Sequence, residues 1–397
     1  MNIVLQHVKD SFKGDRMLWS IILLLSLISL MAVFSASISI TKYNSDTTLY
    51  FMMKHVPFIL LGLAFTWLCS KIHYNEYNRF APHLLIASIV LLIITLFFGV
   101  EVHDAKRWLY VPFTDITFQV SDLAKIALVC YLARSISAKQ DYIKDFKSAF
   151  IPLLMPIIIV CGLIAPSNFS TAALLFATGF LILFMGRVSM SSLIGLVFLG
   201  VALFGVLYLI NVMFPGSTRM SIWINRITEF LYTDEGGYQV QQAKIAIARG
   251  GIFGVGPGYS MLRNFIPYSY ADFIYAIICE EGGLVFGILV IGLYLALLIK
   301  CVSIVTEMPK TFGAILAIGI GVNIVMQAFA NIAVSTELVP VTGQTLPLVS
   351  MGGSSLLFTC ISFGMLLSVS KHLREIKLES DSGTLQVDLD QEDEGDN

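Results

Sequence analysis

Asp272 is the residue best placed for chemistry. It stands at the water-side start of an apolar stretch, in Pro267-Tyr-Ser-Tyr-Ala-Asp-Phe-Ile-Tyr275. A carboxylate there can take a proton from a hydroxyl, a step worth ~10²–10⁴-fold when the base is well positioned. The same residue type also favours the N-cap of a helix, and position alone leaves both readings open. Three other polar sets interrupt apolar runs, where ionisable groups are costly and mark either function or pairing. Asp122 and Lys125 are three apart, hence on one helix face; they either pair locally or orient a catalytic group. Glu280 and Glu281 cannot both face lipid as carboxylates, so at least one is protonated or paired, with Lys125 and Lys54 as candidate partners. Asn323, Gln327 and Asn331 repeat every four residues and form one stripe, suited to bonds between helices.

Cations and backbone donors for an anionic group are also present. Lys54, Lys106 and Arg107 fall on the same side as Asp272, and arginine offers a fork matched to phosphate oxygens. Gly352-Gly-Ser-Ser355 opens an apolar stretch, where free N–H groups can receive phosphate or small residues can allow close packing. Gly250-Gly-Ile-Phe-Gly-Val-Gly-Pro-Gly258 lacks the strand–helix context of a dinucleotide loop. The six cysteines lie in or beside apolar runs without metal or disulfide spacing, so they read as small buried hydrophobes. No metal cluster is expected from the residues.

The elements that must position these groups are membrane helices. Hydrophobic residues make up 56% of the 397 and charged ones 13%, with a mean hydropathy of +0.80. So few charges cannot cover that much apolar surface in water. Ten apolar stretches near ~20 residues, the length that crosses a bilayer, cover about 17–37, 50–70, 81–99, 118–136, 149–166, 170–187, 190–212, 271–299, 311–335 and 351–370. The first is too long for a signal-peptide core and is expected to remain as a helix. Pro166 to Phe169 makes a tight hairpin between the fifth and sixth. Fifteen Lys and Arg lie in one set of connections against three in the short loops of the other, which puts both termini in the cytoplasm. The expected class is an all-α polytopic membrane protein. Residues 1–16 form a cytoplasmic N-terminus and 17–371 the ten-helix domain. A long outer loop at about 213–270 carries a helix-forming middle, Tyr238 to Arg249. An acidic, disordered cytoplasmic tail occupies 372–397.

The block Leu338-Val-Pro-Val-Thr-Gly-Gln-Thr-Leu-Pro-Leu-Val-Ser-Met-Gly-Gly-Ser-Ser-Leu356 resembles the signature of the shape, elongation, division and sporulation family (FtsW, RodA and SpoVE). Phe34-Ser-Ala-Ser37, Ala105-Lys-Arg-Trp-Leu109, Tyr238-Gln-Val-Gln-Gln242, Gly250 to Gly256 and Asp272-Phe-Ile with Glu280-Glu-Gly282 follow in the family's order. The resemblance spans the membrane portion. It implies a peptidoglycan glycosyltransferase that polymerises lipid II, the undecaprenyl-diphosphate-linked disaccharide pentapeptide, in the bacterial inner membrane. It also implies a class B penicillin-binding protein partner within the divisome or elongasome, and no nucleic acid. Compact loops and the polar tail lean it towards the division type.

By position Asp272 then matches the family's essential aspartate, and Asp122 with Lys125 matches its acidic residue and lysine. Lys54, Lys106, Arg107, Lys125 and Gly353-Ser354-Ser355 are the expected diphosphate-binding set, with a divalent cation (Mg or Mn) as a helper shared with phosphate. Asp122, Glu280, Glu281, Asn323, Gln327 and Asn331 are the supporting set. The chain departs from the family at Val120, Asp122, Asn168, Tyr268, Ala271 and Met351. A lipid II flippase and a non-catalytic scaffold for the penicillin-binding protein are the competing functions.

Overall fold

The computed structural model describes residues 15–37, 48–102, 105–110, 117–213, 220–232, 237–266 and 269–395. Helices α1 (Arg16–Ser37), α2 (Thr48–Lys71) and α3 (Tyr74–Phe98) lead into three short strands, β1 (Val100–Val102), β2 (Ala105–Tyr110) and β3 (Thr117–Gln119). Then come α4 (Val120–Ala138), α5 (Ile151–Ile164), α6 (Phe169–Met185), α7 (Met190–Met213), α8 (Met220–Tyr232) and α9 (Tyr238–Gly250). The chain closes with α10 (Ser269–Asp272), α11 (Ile274–Glu307), α12 (Thr311–Ser335) and α13 (Ser354–Gly395). Each expected apolar stretch has a helix. Among the described residues, seven helices are long and apolar enough to cross a membrane, and 55–71 and α6 are shorter apolar helices. Helix α4 carries Asp122, Lys125 and Arg134 and packs between α3, α7's neighbour α6, and α12.

Three features differ from the sequence reading. The 100–119 connection is an antiparallel sheet in the order β1-β2-β3 rather than a plain loop; strands of three and six residues are too short to show alternation. The long connection after α7 holds the expected helix as α9 and adds α8 and α10. Helix α13 continues through the acidic segment to Gly395 instead of giving way to a disordered tail; its Leu, Gln and Glu are good helix formers and no proline interrupts them.

Enclosure is uneven. In α12, 83% of the apolar window is buried, while in α7 the figure is 11%. Phe97, Phe98, Leu60 and Phe198 stand outward, as lipid-facing side chains do. Helix α11 is 34 residues long but breaks at Gly283, whose φ of 71° interrupts the helical path. There the glycine-rich segment after α9 lies backbone against backbone. Val255 N donates to Glu280 O at 2.9 Å, Gly256 N to Glu281 O at 3.0 Å, and Leu284 N to Gly251 O at 2.9 Å. A Cβ on Gly254 or Gly283 would overlap the opposing main chain. The glycines allow this contact.

Candidate active site

The chain between α12 and α13, residues 336–353, enters the bundle without regular structure. Non-helical backbone at such depth survives only where protein satisfies its polar groups, and here side chains from many helices do so. Gln327 Nε2 donates to Thr345 O at 3.0 Å, and Asn331 Nδ2 to Gln344 O at 2.7 Å. Tyr294 Oη donates to Pro347 O at 2.6 Å and Ser29 Oγ to Val349 O at 2.7 Å. With its proton given to Val349, Ser29 Oγ accepts from His55 Nε2 at 2.9 Å. Arg226 of α8 reaches Val341 O at 2.9 Å, and Gln344 Nε2 donates to Thr171 Oγ1 at 2.8 Å. Leu348 is buried with a φ of 65°, a left-handed conformation costing about 1–3 kcal/mol that only firm surroundings maintain.

This segment wraps Asp272. Asn331 Nδ2 also donates to Asp272 O at 2.8 Å, Ser350 Oγ to Ala271 O at 2.6 Å, and Met351 N to Tyr270 O at 3.1 Å. Asp272 is half-buried at the end of α10, and Phe273, not Asp272, is the N-cap of α11. At Gly343 a Cβ would lie 3.8 Å from Asp272 Oδ2, so the bare glycine leaves room beside the carboxylate.

Below this lies the buried pair. Lys125 Nζ is 2.7 Å from Asp122 Oδ1 and donates to Gln327 Oε1 at 2.9 Å. Both side chains are at most 10% exposed. Asn323, Gln327, Pro347 and Ser355 join them around a cavity of about 20 Å³, room for roughly one water. Gln119 N donates to Ser354 Oγ at 3.1 Å, and Ser355 Oγ is 3.4 Å from Thr345 Oγ1. Gly353 takes a φ of 48° to start α13. The expected residues Asp122, Lys125, Gln327, Asn331 and Ser355 therefore meet the Asp272 segment through one network, while Ser354 bonds to the end of β3.

The glutamates do not join it. Glu280 Oε1 is 2.9 Å from Arg249 Nη1, and the carboxylate also accepts from Ser260 Oγ, Met261 N (2.9 Å) and Leu262 N (3.2 Å). Glu281 accepts from Ser35 Oγ, Gly258 N (3.1 Å) and Ser260 N (3.2 Å). Arg249, not Lys125, is the partner of Glu280, because the α9–α11 clasp brings it there. Both glutamates fasten the glycine segment. Arg107 Nε donates to Ser167 O at 2.8 Å, which ties β2 to the α5–α6 turn. Asn168 caps α6 by accepting from Thr171 N at 3.3 Å, which amide and carboxylate do equally well. The side chains of Lys54 and Lys106, and the residues Pro267 and Tyr268, lie outside the described residues. Among the described residues no three His, Cys, Asp or Glu converge to hold a metal.

Sequence reading missed Arg226, Ser29, His55 and Tyr294. His55 alone gave a signal, an ionisable group within an apolar run.

The family model described as "Cell cycle protein", that of FtsW, RodA and SpoVE, matches residues 15–375. The chain belongs to this family. A "Probable peptidoglycan glycosyltransferase FtsW" of Trichlorobacter lovleyi is 33% identical over 368 residues, covering 91% of this chain and 94% of that protein. One of Alkalilimnicola ehrlichii is 35% identical over 376 residues, covering 91% and 90%. Among solved structures, a chain of a peptidoglycan synthase complex described as coordinating polymerization and crosslinking aligns with a TM-score of 0.68 and 23% identity over 90% of this chain and 97% of that one. Thermus thermophilus rod shape determining protein RodA aligns with a TM-score of 0.64 and 22% identity over 90% and 96%. These establish the FtsW/RodA fold. Within it, the family's signature block, Leu338 to Leu356, is the segment that encloses Asp272.

Proposed function

We propose that the chain is a peptidoglycan glycosyltransferase that polymerises lipid II at the outer face of the bacterial cytoplasmic membrane. Ten helices cross the membrane and both ends are cytoplasmic. The observation that carries this reading is the half-buried Asp272 carboxylate, fixed through its backbone by Asn331 and set against Gly343.

Asp272 accepts the proton of the 4-hydroxyl of one lipid-linked disaccharide. The freed oxygen bonds to the anomeric carbon of the other from the side opposite its diphosphate. The carbon–oxygen bond to that diphosphate breaks, with inversion, and undecaprenyl diphosphate leaves. Cations at the outer side stabilise its charge: Lys54, Lys106 and Arg107 from the sequence, with Arg226, which reaches the Val341 carbonyl two residues before Gly343, as the best-placed addition. A divalent cation, Mg or Mn, would have to share the diphosphate with Asp272, and no step depends on it. The Asp122–Lys125–Gln327 network holds the loop and does not meet the sugar.

The partner is a class B penicillin-binding protein, and the FtsW name of the relatives supports a divisome role. The flippase reading needs a polar path. The polar side chains at depth are instead bonded to one another around a cavity of about 20 Å³.

The test is lipid II polymerisation by the purified chain with its cognate class B partner. Asp272→Asn should lower turnover by about 10²–10⁴-fold at unchanged folding. Arg226→Ala should lower it by about ten-fold or more, the loss of one charge-assisted contact. Equal strands from wild type and Asp272→Asn would clear Asp272 of catalysis, and strands from neither would leave the flippase and scaffold readings standing.

A further inference from the structure

Helix α11 starts beside Asp272 and ends at Glu307, at the opposite end of the bundle. There, between the start of α1, the end of α11 and the middle of α13, lies a cavity of about 390 Å³. That is within the ~300–1,000 Å³ typical of small-molecule sites, and it is far larger than the cavity at the buried pair. Arg16, Lys300, Arg374 and Lys377 line it, against Asp15 and Glu307.

The charges do not cancel. Lys300 Nζ is 2.5 Å from Asp15 Oδ2, and Lys377 Nζ is 2.8 Å from Glu307 Oε2. Both acids are thus taken by lysines. Among the described residues the guanidinium groups of Arg16 and Arg374 have no ion pair. Two exposed forks therefore face one cavity on two separate helices, an arrangement that fits a group with several anionic oxygens. Met17, the residue after Arg16 on α1, is 42% exposed.

We propose that this cavity binds the phosphodiester headgroup of an anionic membrane phospholipid, with Arg16 and Arg374 on the phosphate and the acyl chains running past Met17. Basic pockets between membrane helices recognise lipid phosphates in this way. The site is separate from Asp272 and requires nothing of the polymerase reading. With the orientation proposed above, the lipid belongs to the inner leaflet.

The experiment titrates the full chain, in neutral detergent, with short-chain phosphatidylglycerol. Parallel arms use phosphatidylcholine, glycerol phosphate and inorganic phosphate, and binding is read by native mass spectrometry and by thermal shift. Phosphatidylglycerol should bind wild type and raise its melting temperature. The Arg16→Gln/Arg374→Gln double variant should bind it about ten-fold or more weakly. Arg16→Lys/Arg374→Lys, which keeps the charge, should recover most of the binding and serves as the control for folding. Equal binding by wild type and the Gln pair, or by phosphatidylcholine and phosphatidylglycerol, would overturn the site. A shift from inorganic phosphate or glycerol phosphate as large as that from the lipid would overturn the lipid source.

Discussion

The pair of Asp122 and Lys125 shows how one residue holds another's cost. Asp122 Oδ1 meets Lys125, while its Oδ2 is buried without a hydrogen-bond partner. Removing the lysine would strand a buried carboxylate, which costs about 3–5 kcal/mol. Lys125→Ala should therefore lower the melting temperature in detergent sharply. Asp122→Asn with Lys125→Met, which removes both charges, should lie closer to wild type. A double variant no better than the single one would count against the pair as the source. This pair was legible because three-residue spacing fixes a shared helix face, and so was the stripe of Asn323, Gln327 and Asn331. Arg249 and Glu280 are 31 residues apart and Arg226 and Val341 are 115 apart. No local period encodes such meetings, so their partners emerge only from the fold.

At the scale of elements, the break in α11 and the glycine segment after α9 form one unit. Gly283 combines a φ of 71° with an opposing Ile252 carbonyl. Gly251, at a φ of 54°, faces open space. Gly283→Ala should cost at least about 2 kcal/mol through strain and overlap together. Gly251→Ala should cost less, about 1–3 kcal/mol from conformation alone. Melting temperatures of the two variants check this, and equal losses would show that the close approach adds nothing. The helices themselves were visible in the sequence because a membrane demands long apolar runs. The glycine segment could be rejected as a nucleotide loop for want of a strand, but its role needed the other backbone. The sheet at 100–119 was hidden because its strands are shorter than any readable alternation.

Across the whole molecule, the two sites sit at opposite ends of α11, so the direction of the bundle decides what each one meets. The charge bias puts Asp272 outside and the Arg16–Arg374 cavity inside. Cysteine accessibility can test this, because the natural background is low: five of the six cysteines are buried and Cys69 is only partly accessible. Tyr259, between α9 and α10, is 71% exposed, and Leu378 on α13 is 60% exposed. A membrane-impermeant maleimide applied to intact spheroplasts should label Tyr259→Cys and leave Leu378→Cys unlabelled until the membrane is opened. Donor lipid II and the carboxylate would then share the outer side, where the polymerase needs them together. The reverse pattern would place Asp272 in the cytoplasm. An outer-face polymerase could not then use it as its base, even though the fold and the geometry around the carboxylate would be unchanged.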